Sequence, residues 1–399
     1  MDREVTRNVD AEPFGAVLQA PVDDGRLIGV AATVWSRSGL VYEGAAGDAV
    51  PGRAMQPDSL VFIASMTKAV TTVAVMQLVE SGMLTLDEPV GDLVPYLDEV
   101  QVLDGFDAQG NAVMRSPIRR LTLLHLLTHT SGFGYSWTDG LLSQFAKTVP
   151  QAPQGSRSRY EYPLVFDPGD YWGYGIGIDW AGQVVEAATG QRLDEYFAEH
   201  IFNPLGMHDT SFLPGPAQCE RIAQMHQRTA GELVPIPIDL PAELPEMFSA
   251  GGGLYSTAVD FTRFARMLLE GGTFDGERLL APSTVELMAR DHLKGLRVTG
   301  WSSFDTTVSN AVSLFEGQNP GWGLSFLRNT VSTTEGRSAG SLFWGGIANC
   351  YYWIDSDAGL TGVFVTQVLP FYDAGALSAF ASFERAVYDA RKQVGSELF

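Results

Sequence analysis

Between Ser65 and Gly82 the chain reads SMTKAVTTVAVMQLVESG, an apolar run in which Lys68 is the only cation. A helix that is apolar all round belongs inside a core, so other layers must wrap it. Gly82 suits the left-handed position that ends such a helix. A buried ammonium is costly unless it is paired or used, and the chain spends few lysines: Lys68, Lys147, Lys294 and Lys392. Lys68 stands three residues after Ser65, and side chains so spaced share a helix face with Cβ atoms about 5–6 Å apart. The amine can therefore reach the hydroxyl and take its proton. The unpaired N–H groups of the first turn would stabilise an oxyanion and, with burial, favour the uncharged amine. A nucleophile and its base are thus expected within one turn.

The 399 residues have room for two or three domains of about 150 residues each, or for one catalytic unit of two lobes. A hydrophobic share of 45% and a charged share of 18% suit a compact globular protein. No run approaches the roughly 18 uninterrupted apolar residues of a membrane span. Residues 1–10, MDREVTRNVD, are charged and lack the apolar stretch of a secretory signal. A cytoplasmic protein with no membrane partner is expected. The net charge of −21 argues against nucleic acid, which is bound through clustered Lys and Arg, and weighs against a strongly anionic substrate. Cys219 and Cys350 are too few for a disulfide framework or a zinc site and read as small buried residues. No motif calls for a metal or a cofactor, and none sets the oligomeric state.

Two strand pairs bracket the chain. Leu27–Trp35 and Gly39–Gly44 flank a short turn near the start; Cys350–Ile354 and Thr361–Val368 flank another near the end, followed by a helix from about Ala374 to Lys392. Turns this short imply antiparallel pairing, and both ends are expected to share one sheet covered by the Ser65 helix, a short amphipathic start around Phe14–Leu18 and the terminal helix. Between them the pattern changes to helices at Leu121–Leu127, Asp179–Thr189 and Leu193–His200, separated by Pro- and Gly-rich stretches such as 150–163 and 235–245. The fold class is α/β of the α+β type. An α/β lobe from residues 1–95 and 250–399 is expected to face a mostly helical, loop-rich lobe of residues 96–249 across the active site.

With Ser65-Met66-Thr67-Lys68 placed, further segments follow in a recognisable order: Leu126-Leu127-Thr128-His129-Thr130-Ser131-Gly132, Pro168-Gly169-Asp170-Tyr171-Trp172-Gly173-Tyr174, Pro204-Leu205-Gly206-Met207, Gly251-Gly252-Gly253 and Trp344-Gly345-Gly346. From about residue 25 to 390 the chain resembles the serine β-lactamase and penicillin-binding superfamily, closest to family VIII carboxylesterases, a setting in which Ser-x-x-Lys carries the nucleophile. The resemblance implies a β-lactamase-like fold. It implies that Tyr174 is the catalytic tyrosine that relays the proton to the leaving group. It also implies an oxyanion hole from the Ser65 and Ile347 amides, one such donor being worth about 2.7–4 kcal/mol in the transition state. Substrate contacts are expected from Trp344, Gly345, Gly346, Tyr135 and Ile176.

Two departures bear on the substrate. Lactamases of the superfamily carry Tyr-x-Asn, whose Asn holds the substrate amide, whereas this chain has Tyr174-Gly175-Ile176; and Trp344 stands where relatives carry a lysine or histidine that holds a carboxylate. Both favour a small, neutral, apolar ester, hydrolysed through a Ser65 acyl-enzyme. A β-lactamase or D-Ala-D-Ala-type peptidase, an amidase or an acyltransferase would share the acylation machinery, and a noncatalytic binding module is the distant alternative. Among rival sites, Gly336-Arg337-Ser338-Ala339-Gly340 has the Gly-x-Ser-x-Gly form but precedes a strand rather than a helix, which suits a loop better than a nucleophile elbow. His125 and His129 are four apart without the Glu of a zinc motif, so His129 reads as a helix-end residue bonded to backbone. Tyr160, Tyr162 and Tyr171 are alternative phenols, and Trp137, Trp172, Trp322 and Trp344 are candidate pocket walls or plain core.

Overall fold

Strands from the two ends of the chain lie side by side. The computed structural model describes residues 12–394, apart from 239, 241, 242 and 314–317. The charged segment 1–10, on which the cytoplasmic expectation rests, lies outside the described residues. The principal sheet contains β1 (Gly29–Ser36), β2 (Gly39–Val50), β3 (Arg53–Ala54), β4 (Gly321–Trp322), β5 (Leu327–Arg328), β6 (Leu342–Gly346), β7 (Cys350–Asp355) and β8 (Leu360–Val365). Its order is β4-β5-β6-β7-β8-β1-β2-β3, antiparallel throughout. The first and last hairpins join through β1 and β8, with Ala31 opposite Val365 and Trp35 opposite Thr361.

The helices that bear on the site are α1 (Glu12–Asp23), α2 (Thr67–Glu80), α3 (Leu123–Leu127), α4 (Gly177–Thr189), α5 (Ala258–Leu269) and α6 (Ala374–Val394). Alternation along β1 divides the core. Val30, Ala32 and Val34 face a cluster built with Phe14 and Leu18 of α1 and Phe380 and Phe383 of α6. Ala31 faces the opposite cluster, which includes α2 and extends to Trp180, Phe197 and Trp322. On that side α5 lies against the sheet: Thr33 Oγ1 donates to the Ala258 carbonyl at 3.2 Å, and the Phe261 and Tyr352 rings are 5.0 Å apart.

α2 is buried from Thr67 to Met76 and again at Leu78, as a sequence whose only charges are Lys68 and the terminal Glu80 leads one to expect. Its hydroxyls find partners. Thr67 Oγ1 donates to the Ala64 carbonyl at 2.6 Å and accepts the Leu254 N–H at 3.1 Å, and Thr71 Oγ1 donates to the Ala250 carbonyl at 2.6 Å. The helix stops at Ser81, followed by Gly82 at φ 75°. One detail differs from expectation: Ser65 lies in a separate 3₁₀ turn, Ala64–Met66, and α2 begins only at Thr67.

The middle of the chain is less purely helical than its pattern predicts. Val102–Phe106 pairs with Ala112–Arg115, and Met225–Thr229 pairs with Glu232–Ile236, which runs two residues into the stretch 235–245 expected to be loop. The second hairpin turns at Ala230 and Gly231, with φ of 51° and 93°, the left-handed pair that a tight two-residue turn demands. Pro235 is tolerated because its strand has a neighbour on one side only. The helix expected from Leu193 to His200 is α-helical to Phe197 and continues as a π turn, Ala198–Phe202. Among the described residues no helix is long and apolar enough to cross a membrane.

Candidate active site

The polar floor of the site is built from the 3₁₀ turn before α2, the first residues of α2 and the loop at Gly251. Ala64 adopts φ 44°, a left-handed conformation that costs a non-glycine residue energy and is often met at functional turns. It introduces the 3₁₀ turn that carries Ser65, and side chains three apart eclipse one another in such a turn. Lys68 Nζ donates to Ser65 Oγ at 3.1 Å, to the Tyr135 hydroxyl at 3.1 Å and to the Gly251 carbonyl at 2.6 Å. The side chain is completely buried, at 0% exposure. A carbonyl can only accept, so one N–H is committed to Gly251. The two hydroxyls can donate or accept, which lets an uncharged amine turn its lone pair toward Ser65.

Tyr174 is held by the segment around His129. His129 itself adopts φ 56°; its carbonyl accepts the Gly173 N–H at 2.8 Å and its Nδ1 accepts the Gly175 N–H at 3.4 Å, bracketing the tyrosine. Gly175 is required for this close pass, because a Cβ there would lie 2.1 Å from the Phe133 carbonyl oxygen. Burial, and then the charge of Lys68, hold the His129 imidazole well below its usual pKa. The ring is neutral, with its proton on Nε2, and that buried atom has no hydrogen-bond partner where Trp172 and Trp322 stand edge-on to the ring.

The sequence predicts Tyr174 beside Lys68 and Tyr135 among the substrate contacts, and the geometry distributes the two phenols differently. The Tyr135 hydroxyl bonds Lys68. Tyr174 presents its ring, with Nζ 4.9 Å from the centroid, and its hydroxyl accepts the Trp344 indole N–H at 3.3 Å. Burial pushes the Tyr135 phenol well above its ordinary pKa, so it stays protonated.

The other expected contacts lie at the end of β6. A Cβ on Gly346 would come within 2.2 Å of the Ile63 carbonyl oxygen, so glycine lets this strand abut the Ser65 turn, and Ile347 follows directly. At Gly345 a Cβ would meet the Cys350 carbonyl oxygen at 2.8 Å. Ile176 caps α4 and is buried in the core cluster beside Trp172 and Tyr174.

An aromatic wall rises over this floor. Trp301 stacks on Tyr174 with ring centroids 5.2 Å apart, Trp137 stacks on Tyr135 at 4.9 Å, and Trp137 meets Trp301 edge-on at 6.1 Å. The Phe304 N–H donates to the Trp137 carbonyl at 2.9 Å and ties the two loops together. Trp344 is buried against Tyr174 at 5.1 Å. Trp172 and Trp322 pack on each other and on His129, beneath the wall.

The rivals lie elsewhere. Ser338 occupies a turn leading into β6, its amide bonded to Asp355 Oδ2 at 2.8 Å. His125 Nδ1 pairs with its own helix cap, Thr122. No group of three His, Cys, Asp or Glu among the described residues is arranged to hold a metal. Tyr171 is 65% exposed and the Tyr162 ring packs on Phe145, whereas the Tyr160 phenol lies close by, beside Ser249 and Asp179 rather than at Lys68. Sequence reasoning missed Trp301, Asp179 and the Gly251 carbonyl. A lone tryptophan in the polar stretch Gly300-Trp301-Ser302-Ser303 was the available signal for the first; nothing local marks a carbonyl as a partner of a lysine far away in sequence.

Comparison with known proteins agrees with this architecture. The Beta-lactamase family model matches residues 14–382. A lovastatin esterase from Penicillium rubens is 32% identical over 373 residues, covering 88% of this chain and 92% of its own. A monacolin J acid methylbutanoyltransferase from Aspergillus terreus is 34% identical over 354 residues, covering 85% of this chain and 84% of its own. The solved structure of a mutant of simvastatin synthase from Aspergillus terreus superposes with a TM-score of 0.82 at 29% identity over 95% of each chain.

Proposed function

The chain belongs to the Beta-lactamase family, and from that premise we propose that it is a serine hydrolase cleaving small, neutral, apolar carboxylic esters through an acyl-enzyme on Ser65. The observation that carries the proposal is a fully buried Lys68 amine 3.1 Å from Ser65 Oγ beneath a wall of aromatic rings. Lys68 takes the Ser65 proton as Oγ attacks the ester carbonyl, and the amides of Ser65 and Ile347 hold the tetrahedral oxyanion. The C–O bond to the leaving alcohol then breaks. Tyr174 protonates the departing oxygen and is reprotonated from Lys68. A water molecule repeats the sequence on the acyl-enzyme, returning the proton to Ser65 and releasing the acid. Trp344 offers no charge to a substrate carboxylate, which supports a neutral acyl group.

Acyl transfer is the second reading, favoured by the methylbutanoyltransferase relative: an alcohol in place of water would give a new ester by the same steps. The decisive experiment is fluorophosphonate labelling with peptide mapping, run beside p-nitrophenyl butyrate and a chromogenic cephalosporin. Label on Ser65, ester turnover above cephalosporin turnover, and a loss of at least about 10³-fold in Ser65→Ala are expected. Label on a different serine, or full turnover by Ser65→Ala, rejects the assignment. Adding a primary alcohol and measuring ester product against free acid separates transfer from hydrolysis.

A further inference from the structure

One buried carboxylate close to the floor takes no part in these steps. Asp179 lies in the first turn of α4, five residues after Tyr174, and is 2% exposed. Its Oδ1 accepts the Gly251 N–H at 2.9 Å and the Ser249 hydroxyl at 2.9 Å. The carbonyl of that same Gly251 accepts from Lys68 Nζ at 2.6 Å. A Cβ on Gly251 would fall 2.3 Å from Asp179 Oδ2, so the carboxylate occupies space that any other residue would need. Burial raises the Asp179 pKa, and the charge of Lys68 is the largest influence pulling it back down. The two groups therefore sense each other through the packed interior, although no direct ion pair joins them.

We propose that Asp179 is a positioning residue that sets the working pH of Lys68, its charge favouring the protonated amine formed when Ser65 is deprotonated while its grip on the Gly251 amide aims the carbonyl that orients Nζ. The neighbours do not offer a competing charge. Tyr135 and Tyr174 face Lys68 from their two loops, with His129 behind Tyr174; Tyr135 and Tyr160 face Asp179. Burial keeps the Tyr135 and Tyr160 phenols protonated and the His129 ring neutral. The carboxylate of Asp179 is then the charge that α4 turns toward Lys68. An opposite charge within about 4–6 Å moves a titration by about one unit or more.

The inference rests on Lys68 acting as the base, and its test keeps the two apart. The kcat/KM of full-length Asp179→Asn for p-nitrophenyl butyrate is measured from pH 5 to 9 beside the unmodified protein, with fluorophosphonate labelling of both. Asn retains an oxygen for the Gly251 N–H and loses the charge, so the ammonium is less favoured and the base is free at lower pH. The acid limb is expected to shift down by about one pH unit. A limb that coincides with that of the unmodified protein, with Ser65 still labelled, overturns the inference and leaves the reading of the site intact. Absence of Ser65 labelling in the unmodified protein overturns the reading itself. Should Asp179→Asn fail to fold, Ser249→Ala decides: it weakens the charged carboxylate, so a smaller shift in the same direction supports the inference, and an unmoved limb overturns it.

Discussion

The floor and the wall of the site are built by opposite strategies. At the floor, Ser65 on its 3₁₀ turn, Lys68 on the buried α2 and the Gly251 carbonyl on a glycine loop are tied together by hydrogen bonds of 3.1 and 2.6 Å from Lys68 Nζ. At the wall, Tyr135, Trp137, Tyr174, Trp301 and Trp344 arrive from separate segments and meet mainly through ring stacking. Stacked pairs contribute about 0.5–1.5 kcal/mol beyond burial and tolerate sliding, whereas a buried hydrogen bond loses its worth within a few tenths of an ångström. On the proposed function, proton transfer falls to the hydrogen-bonded floor and substrate choice to the stacked wall. Tyr174 belongs to both, through its ring beside Lys68 and its stacking on Trp301.

The pair Tyr174→Phe and Tyr135→Phe tests that division most severely. Loss of a general acid costs about 10²–10⁴-fold in kcat, expected for Tyr174→Phe. Tyr135→Phe removes one hydrogen bond to the amine and should cost roughly tenfold. The reverse order in steady-state kinetics would make Tyr135 the proton relay and sever Tyr174 from the floor. Trp301→Ala comes next: KM for aromatic or branched esters should rise by about fivefold with kcat little changed, and a kcat loss as large as that of Tyr174→Phe would erase the distinction between floor and wall. The smallest effect concerns His129, which braces the wall from below. Its folded pKa is depressed, so the unfolded chain binds the extra proton. The stability it contributes is present above about pH 6.5 and is lost as pH falls toward the folded value. The difference in unfolding free energy between the unmodified protein and His129→Gln should therefore grow with pH by up to about 1.4 kcal/mol per unit and level off above pH 6.5, as read by urea titration. A difference independent of pH would show that His129 charges freely.

Much of the scaffold could be read in advance because its signals are local. The Ser65–Lys68 pair needs only a helical turn, the end strands announce themselves by alternation and tight turns, and Trp344-Gly345-Gly346 marks a strand that must approach closely. The hairpin at Ala230-Gly231 escaped because its strands are short and polar, with Pro235 inside one of them. What distance in sequence hides is partnership. Tyr135 is 67 residues from Lys68, Gly251 is 183 residues from it, and Trp344 is 170 from Tyr174.

By itself, then, the amino-acid order determined that a hydroxyl and an amine stand one turn apart where a buried helix begins, and that strands from both chain ends share one antiparallel sheet. Tertiary structure alone decided which phenol touches the amine, which carbonyl anchors it, which carboxylate stands behind that carbonyl and which indole covers the tyrosine. The physical reason is that backbone geometry sets spacings within a turn at no cost in loop closure, whereas contacts between distant segments exist only once the whole core has packed and overcome the entropy of bringing them together.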